Sequence, residues 1–325
     1  MNSSMNIDGV VPVMLTPFTS QNEIDVAGLN RLIDWYLAKD CAALFAVCQS
    51  SEMQKLTLKE RVSLARLVVT QTAGRVPVVA SGHVANSIDD QCIELASMCE
   101  TGIDALVLVT NRLAENHEGL PVFRQNLQTI MTSIPSDMPL GLYECPAPFR
   151  RLLSDDELKF CLDTGRFVVL KDVSCDMSIL ERRLDIVKGT EFSIINANAA
   201  IAFDAMRAGS KGFAGVFTNF HPDLYVWLYN NMNSGAPLVR DLVSFLALSA
   251  CAEPMGYPGL AKIHHQRLGT FDAIHSRVIG DDIREKYWAI DAIVEHIHAG
   301  AEMFRHRIAE HAADAEVPIV QATHS

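Results

Sequence analysis

A lysine stands where a buried strand should not hold one. In "FVVLKDV", Lys171 follows Phe167, Val168, Val169 and Leu170 and comes two positions before Val173. Charged and unpaired in such surroundings, it would cost roughly several kcal/mol. Burial lowers a lysine pKa, and the free amine is then a nucleophile towards a carbonyl at neutral pH. The alternative is a structural ion pair with an interior carboxylate. Asp172 is not suited to that, because neighbours in a strand point to opposite faces. A second reactive group closes the preceding strand-like run: in "PLGLYECPAP", Tyr143 sits just before Pro146 and Pro148. Facing the same interior as Lys171, its phenol can shuttle protons through carbinolamine and imine steps. Otherwise it packs with its hydroxyl on a backbone carbonyl. Ser50 and Ser51, in "CQSSE", offer hydroxyls and turn N–H groups suited to a carboxylate, although serine is also common in ordinary turns.

Short apolar runs rich in β-formers alternate with helical patterns along most of the chain. Strands are expected at 10–18, 42–49, 76–82, 104–110, 139–145, 167–173, 192–198 and 212–218. Between them lie stretches such as "DVAGLNRLIDWYLAKD" and "SDDELKFCLDTG", several opening on Ser, Thr or Asp and closing on Gly. Strands apolar on both faces, each followed by a helix, indicate a parallel sheet covered on both sides. Their number predicts a closed (β/α)8 TIM barrel, over 1–220, with its active site at the C-terminal strand ends. No Gly-x-Gly-x-x-Gly follows the first strand, which weakens a dinucleotide-binding alternative. From 221 to 311 only helices are expected, an appendage suited to assembly, and 312–325 reads as a loose tail.

The 325 residues are 49% hydrophobic and 20% charged, an ordinary globular balance, and the formal net charge of −12 argues against nucleic acid or anionic membrane as partner. No run approaches the ~20 apolar residues of a membrane span; the richest, "LVRDLVSFLALSAC", contains Arg240 and Asp241. The start, "MNSSMNIDGV", has neither the basic nor the apolar region of a signal peptide, so a cytosolic place is expected. Eight cysteines are scattered without a C-x-x-C pair and read as reduced, mostly buried thiols. Cys48, Cys145 and Cys175 each fall at an expected strand end, but no His or carboxylate stands beside them at ligand spacing, so no metal is expected.

From about 9 to 269 the chain resembles the class I Schiff-base aldolases of the dihydrodipicolinate synthase and N-acetylneuraminate lyase superfamily. The resemblance rests on "GVVPVMLTPF" followed by "EID", on Glu52, on "LYECP" in place of Tyr-Asn-x-Pro, on "LKD", on "AGSKGFAGVFTN" and on "YPGLAKIHHQRLG". It implies that Lys171 forms an imine with pyruvate or another 2-oxo acid and that Tyr143 transfers protons. Gln49, Ser50 and Ser51 would hold the substrate carboxylate. Neither a cofactor nor a metal is implied, and the assembly would be a homotetramer or homodimer.

The departures bear on what is recognised. The strand-two loop usually reads Gly-Thr/Ser-Thr-Gly-Glu and here is Cys48-Gln49-Ser50-Ser51-Glu52, so its backbone must take another path or avoid positive φ. Gln49 brings an amide where the relay uses a hydroxyl. "TNRLAEN" contains no tyrosine, and Pro148 stands where the synthases place an arginine, leaving Arg150 or Arg151 to swing in. The distal part of the substrate would then meet Asn111 and Arg112 after strand four and Asn196 and Asn198 after strand seven, an arginine for carboxylate and asparagines for hydroxyls. The leading expectation is a lyase, aldolase or dehydratase acting on a 2-oxo acid. The alternatives are a genuine dihydrodipicolinate synthase, condensing pyruvate with aspartate semialdehyde, and a keto-acid-binding homologue without turnover.

Overall fold

The computed structural model describes residues 7–280 and 283–316. All eight expected strands are present: β1 (Gly9–Val10), β2 (Leu44–Phe45), β3 (Val78–Ala80), β4 (Ala105–Val109), β5 (Leu140–Tyr143), β6 (Phe167–Asp172), β7 (Ser193–Asn196) and β8 (Gly212–Phe213). They form one parallel sheet in the order β1-β8-β7-β6-β5-β4-β3-β2. The ring closes between β1 and β2 through Ala42 N–H to Val10 O at 2.8 Å, Phe45 N–H to Pro12 O at 2.9 Å and a parallel bridge from Val13 to Phe45. This is the predicted (β/α)8 barrel. β4, "ALVLV", is buried at every position, as a strand between lumen and helices must be. At the β1–β8 seam the backbones meet so closely that a Cβ on Gly212 would lie 1.7 Å from Gly9 O. Its φ of +145° is likewise open only to glycine.

The helices begin where the caps said they would. Thr57 with Glu60, and Ser154 with Glu157, form reciprocal capping boxes, and Asp25, Ser87 and Asp176 cap three more helices. After β8 come helices Pro222–Asn231, Pro237–Ala250, Gly259–Arg267, Ile283–Lys286 and Ile290–Glu316. The last continues past 311 through an Ala- and Glu-rich stretch of high helix propensity. The remainder of the expected tail, 317–325, lies outside the described residues.

Where this appendage packs on the barrel, histidines are buried with few partners. His221 lies among Phe217, Phe245 and Tyr225 at ring separations of 5.8, 5.4 and 5.7 Å, and neither of its ring nitrogens has a hydrogen-bond partner among the described residues. His264 is 5.6 Å from His265 and 5.8 Å from His298. Burial pushes His221 and His264 down to about 3 and His265 well below its usual range. His83 is pushed down to about 4, again by burial. Its Nε2 accepts the Val109 N–H, so its Nδ1 carries the proton, which faces Gln91 Oε1 at 3.1 Å.

All four imidazoles are neutral when folded and titrate near 6.5 when unfolded. Below that pH the unfolded chain binds protons that the native state refuses, so stability falls as pH drops from about 6.5 towards 4, by about 1.4 kcal/mol per pH unit for each such group. Denaturant unfolding should therefore show a marked loss between pH 7 and pH 5, and His221→Phe should flatten it. A stability unchanged over that range would contradict the burial of neutral histidines.

Candidate active site

The register of β5 against β6 answers whether lysine and tyrosine face one another. Tyr143 pairs with Lys171, as Leu142 does with Leu170. Paired residues of parallel neighbours share a face, and the Lys171 Nζ lies 4.3 Å from the centroid of the Tyr143 ring and 5.7 Å from that of Phe45 on β2. Lys171 is only 8% exposed. Burial lowers its pKa, against opposing contributions from Cys48, Cys145 and Glu253. Among the described residues no carboxylate stands at ion-pair distance from it, so the structural alternative has no partner. Burial acts on Tyr143 in the opposite sense and raises its pKa well above the ordinary phenol value. The Tyr143 hydroxyl donates, at 3.5 Å, to the Gln49 amide oxygen, which also faces the Cys145 thiol at 3.3 Å.

The next residue of each strand points outward, and there the two are clamped together. Arg183, from helix Met177–Val187, places Nη2 2.5 Å from Glu144 Oε1 and bonds Asp172 Oδ2 through Nη1. The remaining carboxylate lone pairs are used too. Glu144 accepts from the N–H groups of Leu153 at 2.8 Å and Val173 at 3.0 Å, and Asp172 accepts from Ser174 N–H and Oγ at 3.0 and 2.6 Å. Burial pushes the Glu144 carboxyl up, while Arg183 pulls it back.

Two short 3-10 turns, Gln49–Ser51 and Met53–Lys55, follow β2 and meet at Glu52. The loop does use a positive φ, 61° at Glu52, one position beyond the missing glycine. That carboxylate is held by Lys262 Nζ at 2.5 Å and by Ser276 Oγ and Val278 N–H, both at 3.0 Å. Ser51 faces the scaffold, its hydroxyl 2.8 Å from both Met14 O and Ala46 O. Gln49 and Ser50 turn the other way, into a cavity of about 510 Å³ that also takes in Lys171, Tyr143 and Arg112.

Of the other expected contacts, Asn111 donates to Cys145 O, Ala147 O and Phe149 O and so pins the loop after β5. Asn196 is buried, and its Oδ1 accepts from Asn198 N–H. Asn198 caps the turn at Ala200 and borders a separate cavity of about 220 Å³. Neither lines the main cavity. Arg150 donates to Ser174 O, and Arg151 is buried against Glu157 at 2.6 Å, so neither swings in. Gln54, Lys55, Glu253 and Tyr257 line the cavity and were missed by the sequence reading. The last two come from the segment between helices that sequence alone assigned to assembly. A tyrosine followed by proline ahead of a helix was the available signal. Among the described residues no group of three or more His, Cys, Asp or Glu side chains could hold a metal ion. Cys48 and Cys145 are buried and Cys175 is exposed.

The model of the dihydrodipicolinate synthetase family matches residues 6–239. Among curated proteins, the chain is 29% identical over 222 residues to a 4-hydroxy-tetrahydrodipicolinate synthase of Pseudomonas savastanoi pv. phaseolicola, covering 67% of this chain and 73% of the relative. It is 26% identical over 216 residues to the protein of that name from Bacillus subtilis, covering 65% and 71%. A dihydrodipicolinate synthase structure from Bacillus anthracis superposes with a TM-score of 0.79 at 21% identity, over 90% of this chain and 98% of the other. One from Bacteroides thetaiotaomicron gives 0.78 at 22%, over 90% and 100%. At those identities the structural likeness concerns the fold.

Arg183→Met would leave two buried carboxylates facing each other without their cation. Removing one partner of a buried ion pair costs about 3–5 kcal/mol, and denaturant unfolding should show a loss of that size. A change below about 1 kcal/mol would mean that the strand ends hold their register without the clamp.

Proposed function

The chain belongs to the dihydrodipicolinate synthetase family and is an enzyme of the lyase type, a class I aldolase; we propose that its Lys171 forms an imine with pyruvate or a related 2-oxo acid. The observation that carries this reading is a desolvated amine without a carboxylate partner, in register with a buried phenol at one end of an open cavity. The neutral amine adds to carbon 2 of the keto acid. The Tyr143 proton leaves with the departing hydroxyl as water, which yields a protonated imine beside a phenolate. That imine withdraws electrons from the neighbouring carbon–carbon bond, so a bond there can be made or broken. Ser50 and the N–H groups of its turn face the substrate carboxylate.

The names of the curated relatives favour the synthase alternative over the lyase expectation: pyruvate would condense with an aldehyde such as aspartate semialdehyde. Arg112 supports it, since it borders the cavity, its Nη1 donating to Asn86 Oδ1 at 2.6 Å, and is a cation there where Arg150 and Arg151 are not. Cleavage of a different 2-oxo acid remains the second reading. It is favoured by an apolar wall of Pro146, Ala147, Pro148, Val216 and Val278, which would suit a less polar distal group. We further propose that the enzyme works in the cytoplasm as a homotetramer or homodimer. No described helix is long and apolar enough to cross a membrane.

Borohydride reduction in the presence of pyruvate, read by intact-protein mass spectrometry, should add one reduced pyruvate to wild type and none to Lys171→Ala. Tyr143→Phe should still be trapped but turn over about 10²–10⁴-fold more slowly. Adding aspartate semialdehyde and then a panel of longer keto acids separates condensation from cleavage. No adduct with any acid in folded protein would sink the enzymatic assignment and leave the keto-acid-binding reading.

A further inference from the structure

The main cavity has a side branch. The cavity of about 220 Å³ beside it shares three lining residues with it, Ala197, Val216 and Glu253, which form the neck between the two spaces. The strands explain where that neck lies. Lys171 pairs with Ile195, and Asp172 with Asn196, across β6 and β7. Ala197 is the first residue beyond that pairing, on the strand next to the lysine. Small side chains leave the branch open: Ala197 and Ala199 after β7, and Ala247 and Ala250 of helix Pro237–Ala250, with Phe213 and Phe217 as an aromatic wall. At the neck, Gly215 lets the loops after β7 and β8 meet, since a Cβ there would lie 2.2 Å from Phe213 Cζ and 2.6 Å from Ala197 O.

Glu253 is the one carboxylate on either lining. Among the described residues its oxygens have neither a hydrogen bond nor an ion pair. The cations of the main cavity, Lys55 and Arg112, stand in the turns after β2 and β4. That part of the ring lies across from β7 and β8. The mouth is basic on one side and acidic on the other, and a substrate held at Lys171 meets the acidic side where its chain turns into the branch. Asn198, also on the branch, has its oxygen committed to the Ala200 and Ile201 N–H groups. A hydroxyl satisfies an isolated carboxylate without adding charge. A further cation would be repelled by Lys55, by Arg112 and by the imine itself.

Resting on the Schiff-base reading above, we propose that the branch receives the distal end of a 2-oxo acid longer than pyruvate and that Glu253 selects for a hydroxyl there. In cleavage that end belongs to the keto acid. In condensation it belongs to the aldehyde that pyruvate meets. Glu253 is a specificity residue, and the bond chemistry stays with Lys171 and Tyr143.

The test is borohydride trapping, counting every modified form by intact-protein mass spectrometry. Its probes are pyruvate, 2-oxohexanoate, and the 4,5,6-trihydroxy and 6-trimethylammonio counterparts of the latter. In wild type the trihydroxy acid should reach half-maximal trapping at least about 10-fold below the concentration that 2-oxohexanoate needs, the range of a hydrogen bond to a charged group. Glu253→Leu should remove that preference while shifting 2-oxohexanoate less than about twofold, and Glu253→Gln, which keeps an acceptor, should remove only part of it. Ala250→Leu should weaken both of these six-carbon acids relative to pyruvate, because it fills the branch. No preference in wild type, or one that survives Glu253→Leu, would overturn the proposal. So would equal losses for both acids in Glu253→Leu, which would place the carboxylate's effect on the imine. Readier trapping of the trimethylammonio acid than of the trihydroxy acid would overturn it too, and assign the branch to a cation. Wild type that no probe modifies would refute the imine itself, an outcome distinct from trapping that is blind to the hydroxyls.

Discussion

One guanidinium behind the barrel governs what happens in front of it. Side chains alternate along a strand, so fixing the outward residue fixes the inward one before it. Arg183 holds Glu144 and Asp172 at once, and thereby holds Tyr143 and Lys171 opposite each other. A buried pair of carboxylates with a single cation is a poor source of net stability compared with well-packed apolar side chains. Its return is register. Each carboxylate also takes backbone N–H groups from the loops that leave the strands, Leu153 for one and Ser174 for the other. The same ion cluster therefore sets the start of both loops at the barrel mouth.

A second buried ion pair makes the site a joint product of barrel and appendage. Glu52, at the positive φ that joins the two turns after β2, is tied to Lys262 of helix Gly259–Arg267 across 210 positions of sequence. The loop that carries Gln49 and Ser50 is thus fastened to the helix whose lead-in carries Tyr257. Both ions are fully buried, and Ser276 Oγ and Val278 N–H complete the carboxylate. The helices after β8 do more than offer a surface for assembly: they supply one wall of the cavity and lock another.

The sequence made the barrel and the facing pair Lys171 and Tyr143 readable for a physical reason. A lysine inside an unbroken apolar strand is expensive and hence conspicuous, and parallel strands buried on both faces show as continuous apolar runs. Tyr143 became readable through its place at the same level of the adjacent strand. Residues in loops carry no such periodic mark. Ser50 and Ser51 are neighbours of one type, yet one faces the cavity and the other the scaffold, because the turn between them rotates the chain. Asn196 and Asn198 stand after β7 as expected and are used up in the turn that follows it. Tyr257 depends on packing between segments more than two hundred residues apart, which no local pattern reports.

Burial is the largest influence on the amine and the phenols of this site, and it acts on the two kinds of group in opposite senses. A desolvated lysine loses its proton more easily, while a desolvated phenol holds on to its own. Lys171 is moved down and Tyr143 and Tyr257 are moved up by the same cause. Burial thus favours the neutral form of the amine and of both phenols, in a cavity that Lys55, Arg112 and Glu253 also line. In the proposed reaction the nitrogen becomes cationic as the imine forms, and a phenol becomes anionic at close range in a medium of low polarity. There the attraction between them is strong. A phenol that would be a poor acid in water can thus give up its proton, because its conjugate base is created beside the cation that the same step produces. The apolar walls that make Lys171 costly to bury are what make that exchange favourable.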